Sequence, residues 1–350
     1  MCQLRIYSFF FMVALVTGTT TSIFIDAPVP TYAAIPTVAG GPSIPAPVGY
    51  RVESFGQGAY MVTEGTYQAM FVVSTESVIA IDAPPTIGLK LLYAIRNTTS
   101  LPVSHVIYSH AHADHIGAAY LYGKDVVTIA HRLTADLLKL SPDAARPLPS
   151  VTFEDDLDLV IGNQTLNLAY HGPNHEPGNI FVHLPAQKVL MVVDIVFPGW
   201  VPFAYLGEAQ SVPGYIRAHD QILAYHFDHY VGGHLTRSGT RQDVMIQKEY
   251  VEDLRANCAD ALILSGSPPN STNPVSAYSM IPPILAIDPG NSWAEFKLYL
   301  FNIATYCADV TNKKWLGRLG AADVYGFENA YQMVESLRID YNILGPFGVV

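Results

Sequence analysis

Beyond Tyr50 the chain alternates short apolar runs with turn residues. Gly58 to Val62, Ala69 to Val73 and Val78 to Ile81 are rich in Val, Ile and aromatic side chains, which predicts strands. Gly88 to Arg96 reads as a helix, and Val103 to Ser109 as a buried strand ending at His110. A further helix, a strand at 126–129 and a helix from about Leu133 to Leu140 follow. Strands resume near 151–153, 166–168, 180–183 and 189–193. Meandering strands first, then strands interleaved with helices, predict a layered α/β arrangement in which helices cover sheets. After Gly239 the period lengthens. Val244, Val251, Leu254, Cys258 and Leu262 fall at helical spacing, as do Trp293, Phe296, Leu300, Ile303 and Cys307. A third helix is expected between Phe327 and Leu337. This tail reads as helical packing or a lid.

The amino terminus has a different pattern. Arg5 precedes an apolar run from Ile6 to Val16, long enough for a secretory signal core and too short to span a bilayer comfortably. Residues 1–22 are therefore expected to be a cleaved signal peptide, with an uncleaved membrane anchor as the alternative. Export to a secreted or extracytoplasmic place follows, with no stable membrane span after cleavage. Six prolines between Ala27 and Val48 predict an extended, solvated linker over 23–49. Once Cys2 has left with the signal, Cys258 and Cys307 remain, as buried thiols or, in an exported chain, a disulfide.

Composition narrows the function classes. Half of the 350 residues are hydrophobic and 14% are charged, which excludes a disordered chain and disfavours a solvated helical rod. The formal net charge of −11 and the lack of any Lys/Arg run argue against nucleic acid as a partner. A small-molecule substrate fits better.

Several of the twelve histidines cluster. The strand ending at Ser109 runs into His110-Ala111-His112-Ala113-Asp114-His115. In an extended segment, side chains two apart share a face, so His110 and His112 can grip one ion. A turn into a helix at Asp114 sends Asp114 and His115 in another direction, toward a second ion. Three later segments have suitable chemistry: the turn-rich loop from His171 to Asn179 containing His175, Asp194 at the end of an apolar strand, and the Gly232-Gly233-His234 turn. His105, His131, His183 and His219 have no motif company and read as surface or hydrogen-bonded residues. His226 and His229 are possible competitors of His234, and His171 a possible substrate contact.

Taken together, HAHADH, the PNHEPGN loop, the strand-end aspartate and the GGH turn resemble the metallo-β-lactamase-fold hydrolase superfamily. The resemblance covers roughly Tyr50 to Gly239 and implies an αββα four-layer sandwich over 50–239, followed by a helical extension over 240–350. Residue by residue, it implies His110, His112 and His175 on a first metal, Asp114, His115 and His234 on a second, and Asp194 bridging both. Two Zn²⁺ are expected, with a bridging hydroxide attacking a lactone, lactam, thioester or related ester. Asp114 would orient that hydroxide and shuttle a proton. No cysteine lies between Cys2 and Cys258, so the zinc-bound thiolate of one β-lactamase group is absent, and Asp194 points toward lactonase and glyoxalase-II-like branches. The alternatives are a persulfide-dioxygenase-like iron oxidoreductase on the same fold and a non-catalytic metal-binding member.

Overall fold

The structure is a computed structural model and describes residues 30–268, 273–287 and 289–348. The expected signal peptide lies outside the described residues. Strands β1 (Arg51–Gly56), β2 (Ala59–Thr63), β3 (Gln68–Val73) and β4 (Val78–Ile81) form an antiparallel meander. Helix α1 (Leu89–Thr98) crosses over to β5 (Val103–Ile107), which lies parallel to β4. One helical turn, α2 (Ala113–Ile116), precedes β6 (Val127–His131), α3 (Arg132–Leu140) and β7 (Val151–Phe153), completing a seven-stranded sheet in sequential order.

The second sheet has the order β12-β11-β10-β9-β8. It is built from β8 (Asp156–Ile161), β9 (Gln164–Ala169), β10 (Phe181–Leu184), β11 (Val189–Met191) and β12 (His229–Val231). The crossover from β11 to the parallel β12 carries α4 (Ala204–Glu208) and α5 (Val212–Leu223). Helices α6 (Arg241–Ser265), α7 (Ala277–Ile287), α8 (Ser292–Trp315) and α9 (Ala322–Ile339) follow.

Alternation along the strands divides the apolar side chains among three cores. Met70 and Val72 of β3 face the second sheet, with Ile79, Ile107, Leu168, Val182, Met191 and Val231. Ala69 and Phe71, one residue out of phase, face Leu91 and Ile95 of α1 and Leu138 of α3. On the far side, Phe181, Leu190 and Tyr230 pack on Tyr215 and Ile222 of α5 and on apolar residues of α6, α8 and α9. The result is the αββα sandwich, with the C-terminal helices added to its last layer. A disulfide joins Cys258 of α6 to Cys307 of α8, with Cα atoms 4.9 Å apart.

Elements β1, β8, β12, α5 and α7 go beyond the sequence expectation. β8, Asp-Leu-Asp-Leu-Val-Ile, does alternate exposed and half-buried positions and carries the period-2 signal. α5 starts at an Ser211 cap, whose hydroxyl accepts from Gly214 N, with Pro213 in the first turn. The proline-rich stretch is mostly exposed, as its composition predicts, yet it is fastened down. Trp200 Nε1 donates to Ala39 O (2.9 Å) and Arg237 Nη2 to Val38 O (3.1 Å).

Candidate metal centre

The site lies at one edge of the sandwich, on the loops that leave β5, β9, β11 and β12. After β5 the chain stays extended, because Tyr108 N donates to Ile129 O and Ile180 N to Ser109 O (2.9 and 3.0 Å). His110 and His112 therefore project together, their ring centroids 4.6 Å apart. His112 then caps α2, which turns Asp114 and His115 away. His175 closes the first group edge-on, its ring 4.9 Å from His110 and 4.8 Å from His112.

Asp194 sits between two clusters. Its Oδ2 is 3.5 Å from His110 Nε2, 3.3 Å from His175 Nε2 and 3.1 Å from His115 Nε2, while Oδ1 is 3.0 Å from His234 Nε2. His115 Nε2 is also 3.5 Å from Asp114 Oδ2. The donors fall into two groups: His110, His112, His175 and Asp194 in one, Asp114, His115 and His234 in the other, each group's ligand atoms within 4.8 Å of one another. All seven residues expected from the sequence thus meet at one place.

A surrounding set of contacts aims these rings. His175 Nδ1 donates to Gly207 O (2.7 Å), leaving Nε2 free to face the cluster. Ser109 Oγ lies 2.9 Å from His110 Nδ1 and does the same for that ring. Glu176 is buried: Oε2 accepts from Ala111 N (2.8 Å), and Oε1 lies 3.2 Å from His112 Nε2, so Nδ1 is the His112 nitrogen left for a cation. Asp82, at the end of β4, accepts from Ser109 N (2.8 Å) and secures the loop at its root. Gly233 has φ +87°, and a Cβ there would lie 2.6 Å from Val193 Cγ1 and 3.1 Å from His115, which accounts for glycine before His234.

Electrostatics match the geometry. Burial alone would raise the Asp194 carboxyl, but His115, His175 and His234 outweigh it and hold it well below the usual range. Burial opposes a proton on His115, yet Asp194, Asp114 and Asp82 lift it to about 9. Burial pushes His110 down, with His175 and His115 adding to the effect, and takes His175 down to about 4. Burial raises Asp82 to about 6, against the pull of His115 and Ser109. The proton on His115 balances a buried carboxylate, a role that a cation would take over on displacing it.

The residues fit a metal. His110 Nε2, His115 Nε2 and Asp194 Oδ1 are buried and make no hydrogen bond, although they converge. Such atoms are costly unless something coordinates them. A nitrogen- and oxygen-rich set with one shared carboxylate suits zinc.

The other histidines have structural work. His105 Nδ1 contacts Ser104 Oγ, His131 accepts from Leu133 N at the start of α3, and His183 contacts His226 O. His219 is buried between Tyr215 O and Gln247 Nε2. His229 packs on Phe55 and His171 meets Tyr225 Oη (2.7 Å); neither His226 nor His229 joins the donor groups. Residues not anticipated as part of the site are Glu176, Asp82, Tyr67 and Asn329. Glu176 directly follows His175, and Asp82 ends a strand as Asp194 does, so those two left a trace in the sequence.

A family model described as the metallo-beta-lactamase superfamily matches residues 62–238. The alpha subunit of 2,4-dinitroanisole O-demethylase from Nocardioides sp. (strain JS1661) is 28% identical over 188 residues, which is 52% of this chain and 57% of that protein. A type 2 metallo-beta-lactamase from Bacteroides fragilis is 31% identical over 124 residues, 35% of this chain and 49% of that protein. The chain spans about half the length of these curated relatives. The solved metallo-beta-lactamase of Pontibacter korlensis aligns at 22% identity with a TM-score of 0.48, over 57% of this chain and 97% of its own. With half of its length matched by the family model and the ligand-type residues gathered at the sandwich edge, the chain belongs to the metallo-beta-lactamase superfamily.

Proposed function

We propose that the protein is a metal-dependent hydrolase with a dinuclear zinc centre, cleaving a lactone, thioester, lactam or related ester. The observation that carries this reading is Asp194, one carboxylate in contact with both donor groups. His110, His112 and His175 would hold one ion, Asp114, His115 and His234 the other, and Asp194 both. The chemistry supplied there is that of paired Lewis acids, which acidify water and polarise a carbonyl. Asp114 is half exposed where the cavity meets the cluster, and Tyr67 lines the same cavity. That position supports a role in which Asp114 would take a proton from water and return it to the leaving atom. Tyr67 stays protonated through neutral pH, its hydroxyl raised to about 12 by burial and by the charge of Asp114.

The test is hydrolysis of a panel of lactone, thioester and lactam substrates before and after chelation. Activity on at least one class that chelator abolishes and zinc restores supports the reading. Chelator-insensitive hydrolysis, or none by zinc-loaded protein, refutes it. Export is also proposed, supported by the apolar run after Arg5 and by the disulfide, a bond that persists in oxidising compartments. Among the described residues no helix is long and apolar enough to cross a membrane.

A further inference from the structure

The cavity over the cluster measures about 510 Å³ and is walled on one side by the C-terminal extension. Besides the metal-ligand candidates it is lined by Tyr67, Phe197, Phe203 and Tyr325, with Tyr325 supplied by α9. Phe203 is the centre of this wall: its ring centroid lies 4.5 Å from Phe197, 5.5 Å from Tyr325 and 5.4 Å from His234. Tyr67 covers His234 from another direction, 4.6 Å away. Among the described residues, the charged side chains that line the cavity, histidines aside, are Asp114, Asp194 and Glu208. Arg146, which approaches the loop from behind, is bonded to Ala111 O and Asp143.

A space of this size suits a ligand of one or two rings. Its aromatic wall favours a flat π-face, because ring pairs attract beyond simple area burial. We infer that the substrate class is an ester or lactone carrying an aromatic ring close to the scissile bond, with Tyr325 of the C-terminal extension as a specificity-determining residue. This rests on the hydrolytic reading above. In the reaction, water oxygen bonds to the acyl carbon and the bond from that carbon to the ester oxygen breaks. One water proton passes to the departing oxygen, and the products are a carboxylic acid and an alcohol or phenol.

Matched esters test the inference on the zinc-loaded protein. Ethyl phenylacetate and ethyl cyclohexylacetate share a leaving group and differ in aromaticity. Benzyl and cyclohexylmethyl acetate repeat the comparison with the ring on the alcohol side. The aromatic member of at least one pair should be favoured roughly two- to tenfold in kcat/KM. Tyr325→Ala should erase the aromatic preference at unchanged metal content, while Tyr325→Phe should keep it. Metal-dependent turnover with equal rates across both pairs overturns the substrate class and leaves the hydrolytic reading standing. If the aromatic preference survives in a folded, metal-loaded Tyr325→Ala protein, the role of α9 is wrong. Absence of hydrolysis of every ester, lactone, thioester and lactam overturns both.

Discussion

Three carboxylates beside the histidines do different work because their surroundings differ. Asp194 is buried in contact with both donor groups, Glu176 is buried behind His112, and Asp114 is half exposed to the cavity. His112→Ala should lose metal as well as activity, since nothing replaces that donor. Asp114→Asn should retain at least one metal and lose about 10²-fold or more in turnover, because proton transfer has no substitute there. Metal content and turnover measured on both variants check this, and parent-like turnover by fully loaded Asp114→Asn contradicts it. Glu176→Gln keeps the shape but weakens the acceptor behind His112 Nε2. Metal affinity, read by competition with a chromophoric chelator, should fall about 10- to 100-fold, in line with other acceptors behind metal-bound histidines. At this scale the candidate ligands were legible, because four of them lie within six positions of one another. The trace of Glu176 was only its place beside His175; its role was not readable, because its partner Ala111 N lies 65 residues earlier in the chain and only the fold joins them.

At the scale of elements, the decisive piece is α4. Tyr205, Leu206 and Gly207 all have left-handed backbone angles, with φ between 56° and 63°, which costs roughly 1–2 kcal/mol per non-glycine residue. Something must hold this turn. Asn329 of α9 does so, accepting from Leu206 N (2.7 Å) and donating to Pro202 O (2.8 Å). The same turn presents Gly207 O to His175 Nδ1, so Asn329 of α9 steadies a candidate ligand from outside the donor groups. Asn329→Ala leaves a buried N–H unpaired, which should cost about 1–3 kcal/mol of stability and also weaken metal binding. Thermal melting and chelator competition read the two effects, and loss of stability with unchanged metal affinity separates α9 from the site. The long helices were legible from their repeating apolar faces, and the inner strands from their runs. The left-handed turn was not, because Tyr205 and Leu206 are not residues that announce positive φ, and the tail's part in the site depends on Tyr325 and Asn329, which carry no local motif.

At the scale of the whole molecule, the third core ties the sandwich to its extension. The 49-residue loop closed by Cys258–Cys307 adds up to about 4 kcal/mol by chain-entropy arguments. The same core contains a pH-sensitive element. His219 is fully buried and lowered to about 4, chiefly by burial; it donates to Tyr215 O and receives Gln247 Nε2, an arrangement only the neutral ring can make. Below pH 6.5 the unfolded chain takes up this proton while the folded chain does not, so stability falls as pH drops. The loss ends near pH 4 and amounts to about 3 kcal/mol from this residue. A His219→Gln variant lacks that term, so its stability relative to the parent should improve steadily from pH 6.5 to 4; a constant difference rejects the assignment. The four-layer plan was readable from strand and helix order together with the motifs, whereas the fastening of residues 33–39 to Trp200, Arg237 and Asp323 was not, since prolines signal extension and not what the extended chain lies against. The shared carboxylate is the feature on which the functional reading turns, and metal stoichiometry probes it directly. Mass spectrometric metal analysis of folded protein loaded with zinc should give close to two equivalents per chain, falling in Asp194→Ala; an active, folded parent that saturates at one equivalent contradicts a dinuclear centre held together by Asp194.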